Sequence, residues 1–395
     1  MGMNQTPASE RIHIGFFGRR NAGKSSVINA VTGQNLAIVS QVRGTTTDPV
    51  YKTMELLPMG PVMVIDTPGI DDEGDLGALR VKRSYQVLNK TDVAVLVVDG
   101  CLGKTREDEA LIERFRKKGI PFIVAYNKAD QCEEPAPVKE NEIWVSAKEG
   151  SNIHELKEMI ARQGSKEDKE RRIVGDLIKP SDFIVLVVPI DKAAPKGRLI
   201  LPQQQTIRDI LESDAVSIVV KENELKNTLN QLGKKPALVI TDSQVFSRVS
   251  EDTPEDILLT SFSILFARYK GSLKDNVEGA KCLETLRDGD KILISEGCTH
   301  HRQCNDIGTV KIPGWIRKYT GKSLEFEFTS GTEFQEELGE YRLIVHCGGC
   351  MLNEREMKYR MSCARDQKVP MTNYGILIAY IKGILKRSLQ PFPEI

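Results

Sequence analysis

The sequence lacks any apolar run long enough to cross a bilayer: the longest, VAVLVV (93–98) and FIVLVVPI (183–190), fall far short of the roughly 20 residues required. Its first residues, MGMNQTPASER, hold no apolar core of a secretory signal, so no membrane span and no export are expected. The acylation pattern of Gly2 and Thr6 is short enough to arise by chance. Excess charge is also missing. Lys+Arg and Asp+Glu both number 55, which argues against a protein that coats nucleic acid, since such binding needs a basic surface. Internal repeats and low-complexity tracts are absent. Eight cysteines in 395 residues do not make a disulfide scaffold. With no export signal the expected compartment is the reducing cytoplasm, where clustered cysteines mean metal or redox chemistry more often than bridges. Cys101, Cys132, Cys282 and Cys363 stand apart and read as small hydrophobes. Cys298, Cys304, Cys347 and Cys350 cluster.

What is present is ordinary globular composition, 40% hydrophobic and 28% charged, in a length that suits two or three domains. The fold class expected is α/β throughout, in three regions: 1–165, a smaller 170–265 and 266–395. In the first, the apolar runs IHIGFF, PVMVID, VAVLVVD, IPFIVAYN and EIWVSA alternate with helical patterns. Continuous apolar strands with crossover helices imply a doubly wound parallel sheet covered on both faces. The charged stretch ARQGSKEDKERR (161–172) reads as a linker or solvated helix. FIVLVVP, AVSIVV and PALVIT repeat the alternation on a smaller scale. The third region holds the strand candidates DKILISEG and EYRLIVHC, expected to pair, and three of the five histidines.

GRRNAGKS (18–25) follows a strand, precedes the helical SSVINAVTG and fits the phosphate-binding loop pattern G-x-x-x-x-G-K-[ST]. Gly18 and Gly23 allow the tight loop that Arg19, Arg20, Asn21 and Ala22 complete. Lys24 reaches the terminal phosphates, Ser25 holds Mg²⁺, and the helix opening at Ser25 and Ser26 adds its positive end. DTPG (66–69) ends a strand, so Asp66 reaches the Mg²⁺ shell and Gly69 the γ-phosphate. NKAD (127–130) ends another: Asp130 accepts N1–H and N2–H₂ of guanine, Lys128 lies along the base, and Asn127 opens the motif. SAK (Ser146, Ala147, Lys148) ends the next and meets the guanine O6 through backbone N–H. Four motifs in this order, each at the carboxyl end of a strand, describe the ligand crevice of a doubly wound sheet. The intervening GTTTD (44–48) is placed to order a switch loop, with Thr46, or next Thr45, completing Mg²⁺ and sensing the γ-phosphate.

Residues 11–161 resemble the GTPase class that includes the bacterial tRNA-modifying and ribosome-assembly GTPases. The resemblance implies that Asn21 accompanies potassium-dependent hydrolysis, the K⁺ supplying positive charge where other GTPases use an arginine finger. Lys24, Thr46 and Asn21 are then the catalytic set. Ile70, Asp71 and Asp72 follow DTPG with no Gln to orient water, so intrinsic hydrolysis is expected to be slow.

GCTHH sets Cys298 and His300 after one strand, and HCGGC sets His346, Cys347 and Cys350 after another. Soft thiolates at such spacing select Zn, Cu(I) or Fe–S. Unligated thiols, a structural zinc of Cys₃His or Cys₂His₂ type and an iron–sulfur cluster all fit the residues alone. C-x-H followed by H-C-x-x-C behind such a GTPase, with FIVLVVPIDKAAPKGRLILPQQQTIRDIL (183–211) and GCTHHRQCNDIG (297–308), resembles the FeFe-hydrogenase maturation GTPases over essentially the whole chain. That resemblance implies a 4Fe–4S cluster on Cys298, Cys347 and Cys350 in the third region. It implies a middle region that forms a homodimer, or a tetramer with further contacts. Its partners would be the maturation radical enzymes and apo-hydrogenase, with no nucleic acid and no membrane. Three cysteines leave one iron with a non-cysteine ligand. His300 and His346 are candidates for it or for supporting contacts, Asp306 or a labile group could take it, Cys304 is outside the family pattern, and His301 is read as surface. GTP or GDP, Mg²⁺, K⁺ and the cluster are thus the expected cofactors. An RNA- or ribosome-associated GTPase with a structural zinc module, and a redox switch closing Cys347 to Cys350, are the competing readings. No recognisable RNA-binding GXXG loop supports the former.

Overall fold

The computed structural model describes residues 6–33, 49–70, 75–132, 138–164, 171–190, 199–297, 306–331 and 334–392. The chain divides into two compact units, Met1–Lys169 and Glu170–Ile395. Among the described residues no helix is long and apolar enough to cross a membrane.

The first unit runs β1 (Ile12–Phe17), α1 (Lys24–Thr32), β2 (Val50–Leu56), β3 (Gly60–Asp66), α2 (Asp75–Leu88), β4 (Val93–Asp99), α3 (Arg106–Lys117), β5 (Phe122–Asn127), β6 (Glu142–Trp144) and α4 (Ile153–Gly164). They form one six-stranded sheet in the order β2-β3-β1-β4-β5-β6. All pairs are parallel except β2 with β3. Successive strand residues face opposite sides, so Phe16 joins a core with Val27, Ile28 and Ile160 while Phe17 joins another with Leu96, Leu111 and Phe115. Each such buried side chain contributes about 1.5–3 kcal/mol. α3 starts at a reciprocal cap between Thr105 and Asp108 and carries acids in its first turn and bases in its last, matching the helix dipole. β2 is an edge strand that exposes Tyr51, Thr53 and Glu55 and buries Lys52, which is why no apolar run marks it.

The second unit holds two four-stranded sheets. The first is built from β7 (Phe183–Val187), α5 (Leu201–Glu212), β8 (Val216–Val220), α6 (Leu225–Gln231), β9 (Leu238–Thr241), α7 (Phe246–Asp252) and β10 (Leu258–Ser261), followed by α8 (Phe262–Lys270) and α9 (Leu273–Lys281). The second comprises β11 (Lys291–Glu296), α10 (Ile312–Thr320), β12 (Glu325–Ser330), β13 (Leu343–His346), α11 (Glu354–Asp366) and β14 (Met371–Asn373), and the chain closes with α12 (Tyr374–Ile381) and α13 (Leu385–Ser388). Their orders are β10-β9-β7-β8 and β12-β11-β13-β14, all parallel. α12, YGILIAYI, is apolar on nearly every side because it is covered on both: Ile376 and Ala379 pack into the first sheet's core, Tyr374 and Leu377 into the second's. At the other end of the first sheet, β8 is an edge strand that leaves Val216 and Val219 exposed.

Candidate functional site

The loop between β1 and α1 can be made only with glycine at two points. Gly18 has φ +142° and Gly23 φ +87°; a Cβ on the first would lie 2.2 Å from the Val97 carbonyl oxygen, and on the second 2.2 Å from Asn127 Nδ2. Asn21 also takes a left-handed conformation, φ 61°. Lys24 is buried, and its Nζ donates to the carbonyls of Gly18 (2.9 Å) and Arg19 (2.8 Å), so the ammonium is held inside the loop. Ser25 Oγ donates to Asp66 Oδ2 at 2.7 Å, which brings the two metal-binding candidates together across α1 and β3. Burial raises the Asp66 carboxyl above its ordinary range, against the pull of Ser25, Lys24 and Lys52. Thr67 Oγ1 donates to the Phe16 carbonyl (2.7 Å) and Ser84 Oγ to the Pro68 carbonyl (3.0 Å), fixing the turn that ends in buried Gly69.

Asn127 ties three loops with one amide: Nδ2 donates to the Ala22 carbonyl (3.0 Å) and Oδ1 accepts from Ala147 N–H (3.1 Å). Lys128 sits at φ 68° and places Nζ 2.5 Å from Asp99 Oδ2. Asp130 is exposed and accepts from the buried Ser146 hydroxyl at 2.7 Å, which holds its carboxyl below the usual range. Lys148 is exposed beside Glu149. Arg19, Arg20 and Asn21 line a cleft of ≈ 350 Å³ together with Asp99, Thr105 and Asp108. Ser26 lies in the first turn of α1. The structure thus brings the phosphate-loop, DTPG, NKAD and SAK residues to one edge of the sheet, a basic loop beside a buried carboxylate and an open carboxylate for a base. Thr45, Thr46, Asp71 and Asp72 lie outside the described residues. Lys52 was not singled out from sequence. It is buried on β2, its Nζ has no hydrogen-bond partner among the described residues, and burial lowers its pKa against the opposing charge of Asp66. A lysine at an inward position of a strand was the available signal.

The second cluster of candidates forms where β11 and β13 end side by side, with Ser295 opposite His346. Cys347 N–H donates to the Ser295 carbonyl (2.9 Å), and its Sγ accepts from the N–H groups of Gly297 (3.1 Å) and Gly349 (3.4 Å). Burial pushes the Cys347 thiol up, against these two N–H donors. Gly349 turns at φ +62°, where a Cβ would meet Met357 Sδ at 2.6 Å. Cys350 closes the turn and is half-buried. Two thiols on a Gly-Gly turn, one already receiving backbone N–H groups, form a donor set that fits a thiolate-bound cluster. Cys298, His300, His301 and Cys304 lie outside the described residues. Among the described residues no group of three or more His, Cys, Asp or Glu side chains stands together as a metal site.

His346 is fully buried, and both ring nitrogens have partners. Nε2 lies 3.0 Å from Arg360 Nη1, which can only donate, so Nδ1 carries the proton and donates to the Cys347 carbonyl at 2.7 Å. Burial and then the Arg360 charge lower its pKa to about 3. In this arrangement the ring steadies the cysteine turn and has no nitrogen open to a metal. Arg360 is itself buried and also donates to Glu356 Oε1 (3.0 Å) and the Gly331 carbonyl (3.0 Å). Asp306 caps the turn Ile307–Lys311, its Oδ2 accepting from Thr309 N–H at 2.8 Å. Tyr374 donates to the buried Glu296 at 3.1 Å; burial, then the Glu296 charge, raises its pKa far above the ordinary tyrosine value.

Lys270, the last residue of α8, reaches the same turn. It is buried, and Nζ donates to the carbonyls of Gly349 (3.3 Å), Cys350 (3.2 Å) and Leu352 (2.8 Å). In FSILFARYK it looks like an ordinary helix-terminal lysine, and only the fold reveals its role. Lys270→Met, which keeps the stem and removes the donors, is expected to cost the second unit about 2 kcal/mol by leaving carbonyls unpaired. Urea unfolding followed by tyrosine fluorescence measures this, and an unchanged midpoint would remove the role. Two cysteines read as isolated are not: Cys101 and Cys132 place their sulfurs 3.1 Å apart. Adjacency across 31 residues of sequence is what the linear reading could not see.

Three family models match, in chain order. Residues 13–128 match a model described as 50S ribosome-binding GTPase, 173–271 the hydrogen maturase F dimerization domain, and 274–391 the hydrogen maturase F tetramerization domain. The tRNA modification GTPase MnmE of Legionella pneumophila strain Corby is 36% identical over 155 residues, 38% of this chain and 34% of that one. Its counterpart in Laribacter hongkongensis is 33% identical over 156 residues, again 38% and 34%. The chain therefore spans about a third of the length of the curated relatives it matches. Among solved structures, Aquifex aeolicus Era bound to GDP.AlF4- aligns at 19% identity and TM-score 0.36, covering 56% of this chain and 98% of that one. A probable GTP-binding protein engB aligns at 28% and 0.31, covering 39% and 100%.

Proposed function

We propose, for a chain that belongs to the hydrogen maturase F family, that its GTPase domain binds and slowly hydrolyses GTP with Mg²⁺ while its second unit carries a 4Fe–4S cluster on Cys298, Cys347 and Cys350. The protein then acts in the cytoplasm as the scaffold and carrier that assembles and delivers the precursor of the FeFe-hydrogenase diiron site. It would exchange that cargo with the maturation radical enzymes and apo-hydrogenase. The observation that carries this reading is the Cys347–Cys350 turn, its first sulfur held by two backbone N–H groups at paired strand ends, in a chain that also holds a full guanine-nucleotide motif set. When bound, the cluster would supply one iron without a cysteine ligand, open to an exchangeable group. The chain's own residues do the rest. Lys270 and His346 hold the turn, and Ser25 and Asp66 present oxygens to Mg²⁺. Asn21 stands in the loop where a K⁺ ion would offset charge developing on the phosphates. GTP hydrolysis would regulate partner exchange and would not drive cluster chemistry. The chain carries dimerisation and tetramerisation domains and so oligomerises; the exposed edge of β8 supports pairing with a second copy through the middle region.

An RNA- or ribosome-associated GTPase with a structural zinc module draws support only from the first domain, which is the part that the curated relatives match. Protein purified without oxygen tests the proposal. Iron and acid-labile sulfide should be present without stoichiometric zinc, and light scattering should give a dimer or larger. GTP turnover should rise severalfold when K⁺ replaces Na⁺, a gain that Asn21→Ala removes. Stoichiometric zinc with no sulfide would overturn the cluster, and an unchanged K⁺ response in Asn21→Ala would overturn the ion site.

A further inference from the structure

Two loops of the first unit each bring a cysteine to the rim of the guanine-recognition loop. Cys101 follows β4 and is exposed; Cys132 follows the NKAD segment and is half-buried. Their sulfurs are 3.1 Å apart. The same two loops are already joined by polar contacts. Asp99 Oδ1 accepts from Cys101 N–H (3.1 Å), Asp99 Oδ2 holds Lys128 Nζ (2.5 Å), and Cys132 Sγ donates to the Lys128 carbonyl (3.5 Å). A single turn, Ala129–Gln131, carries Asp130 and sets Cys132 in place through its N–H to the Ala129 carbonyl (3.3 Å). The thiol pair and the Asp99–Lys128 ion pair therefore bracket the segment that would read the base. Cys132 is the more sheltered of the two, and its hydrogen bond with Cys101, then burial, pushes its thiol up, whereas Cys101 stands exposed. Cys101 is the sulfur an oxidant reaches.

We propose that Cys101 and Cys132 form a dithiol site that a peroxide closes to a disulfide, and that the crosslink slows exchange of the guanine nucleotide; the second half rests on the GTP reading given above. The Cys101 thiolate attacks a peroxide oxygen. An S–O bond forms, the O–O bond breaks, and with hydrogen peroxide the departing hydroxide leaves as water. Cys132 then attacks the Cys101 sulfur as its thiol proton passes to the departing hydroxide; the S–S bond forms, the S–O bond breaks, and a second water leaves. Two thiols and one hydrogen peroxide give one disulfide and two waters, the sulfurs oxidised and the peroxide reduced. The sulfurs need only close from 3.1 Å to about 2.05 Å. A partly exposed ion pair opens and recloses freely, whereas a covalent link parallel to it keeps the loop carrying Lys128 and Asp130 against the loop carrying Asp99.

The test treats the full chain with hydrogen peroxide, maps disulfides by non-reducing peptide mass spectrometry, and follows release of a fluorescent GDP analogue. The expected result is a 101–132 crosslink that has lost two hydrogen atoms. Analogue release should be slowed severalfold, restored by a phosphine reductant, and indifferent to peroxide in Cys101→Ser. Binding of the analogue by the reduced protein checks the nucleotide reading separately, and mapping needs no nucleotide at all. Failure to form the 101–132 link under excess peroxide, or release from the crosslinked protein at the reduced rate, would overturn the proposal.

Discussion

Protein carrying Cys347→Ser or Cys350→Ser is expected to emerge from anaerobic purification with iron and sulfide reduced to less than about a tenth of the wild-type content, because a serine hydroxyl is a harder and far less acidic donor than a thiol. The turn itself should survive. Its shape is set by the left-handed Gly349, by Lys270 donating to three of its carbonyls and by His346 donating to the Cys347 carbonyl, none of which involves a sulfur. A hydroxyl at 347 can also accept the Gly297 and Gly349 N–H groups that now reach Sγ. The loss is therefore one of ligand chemistry and not of fold. GTP turnover should stay at the wild-type level, since the nucleotide motifs belong to a unit with its own two cores. Iron and sulfide assays with electron paramagnetic resonance on the reduced protein read the first effect, and phosphate release reads the second. A normal cluster in the double serine variant would refute the assignment of these cysteines.

The sequence made the interior strands legible because each is a continuous apolar run buried on both faces, as in β1, β4, β7 and β11. It hid β2 and β12, edge strands whose open faces carry Thr and Glu, and it hid β10 and β14, of only four and three residues. The nucleotide motifs could be read because a phosphate loop and its partner loops use fixed spacing along the chain. The pairing of β11 with β13, which sets His346 beside Ser295, was also legible, since both runs end in candidate ligands. Contacts made by single residues left no linear trace. Lys52, Lys270 and Arg360 each bury a cation near a candidate site, yet each stands alone in an unremarkable strand or helix. A buried cation is recognisable only when the carbonyls or carboxylate around it are known, and those come from distant segments. The Cys101–Cys132 pair was missed for the same reason.

Asp130→Asn should lower GTP affinity on the order of 100-fold or more and admit xanthosine triphosphate in its place, with no gain for ATP. Guanine offers N1–H and N2–H₂ as two adjacent donors, and a carboxylate supplies two acceptors. The structure indicates how the variant would divide its two ends. Ser146 Oγ donates to Asp130 Oδ1 at 2.7 Å, so in the variant the amide oxygen keeps that bond and the NH₂ group takes the other position. The NH₂ then faces the guanine amino group as donor against donor, whereas the 2-oxo group of xanthine accepts from it. The surrounding frame should persist, because Asn127 ties the loop to Ala22 and Ala147, and Lys128 ties it to Asp99, without help from Asp130. Asp130→Ala separates specificity from general damage, since it removes both acceptors and supplies no donor, and so should weaken GTP without admitting the xanthine nucleotide. Competition against a fluorescent GDP analogue measures the affinities for GTP, xanthosine triphosphate and ATP in each protein. Wild-type protein that binds ATP as well as GTP, or an Asp130→Asn variant that keeps wild-type GTP affinity, would remove Asp130 from base recognition.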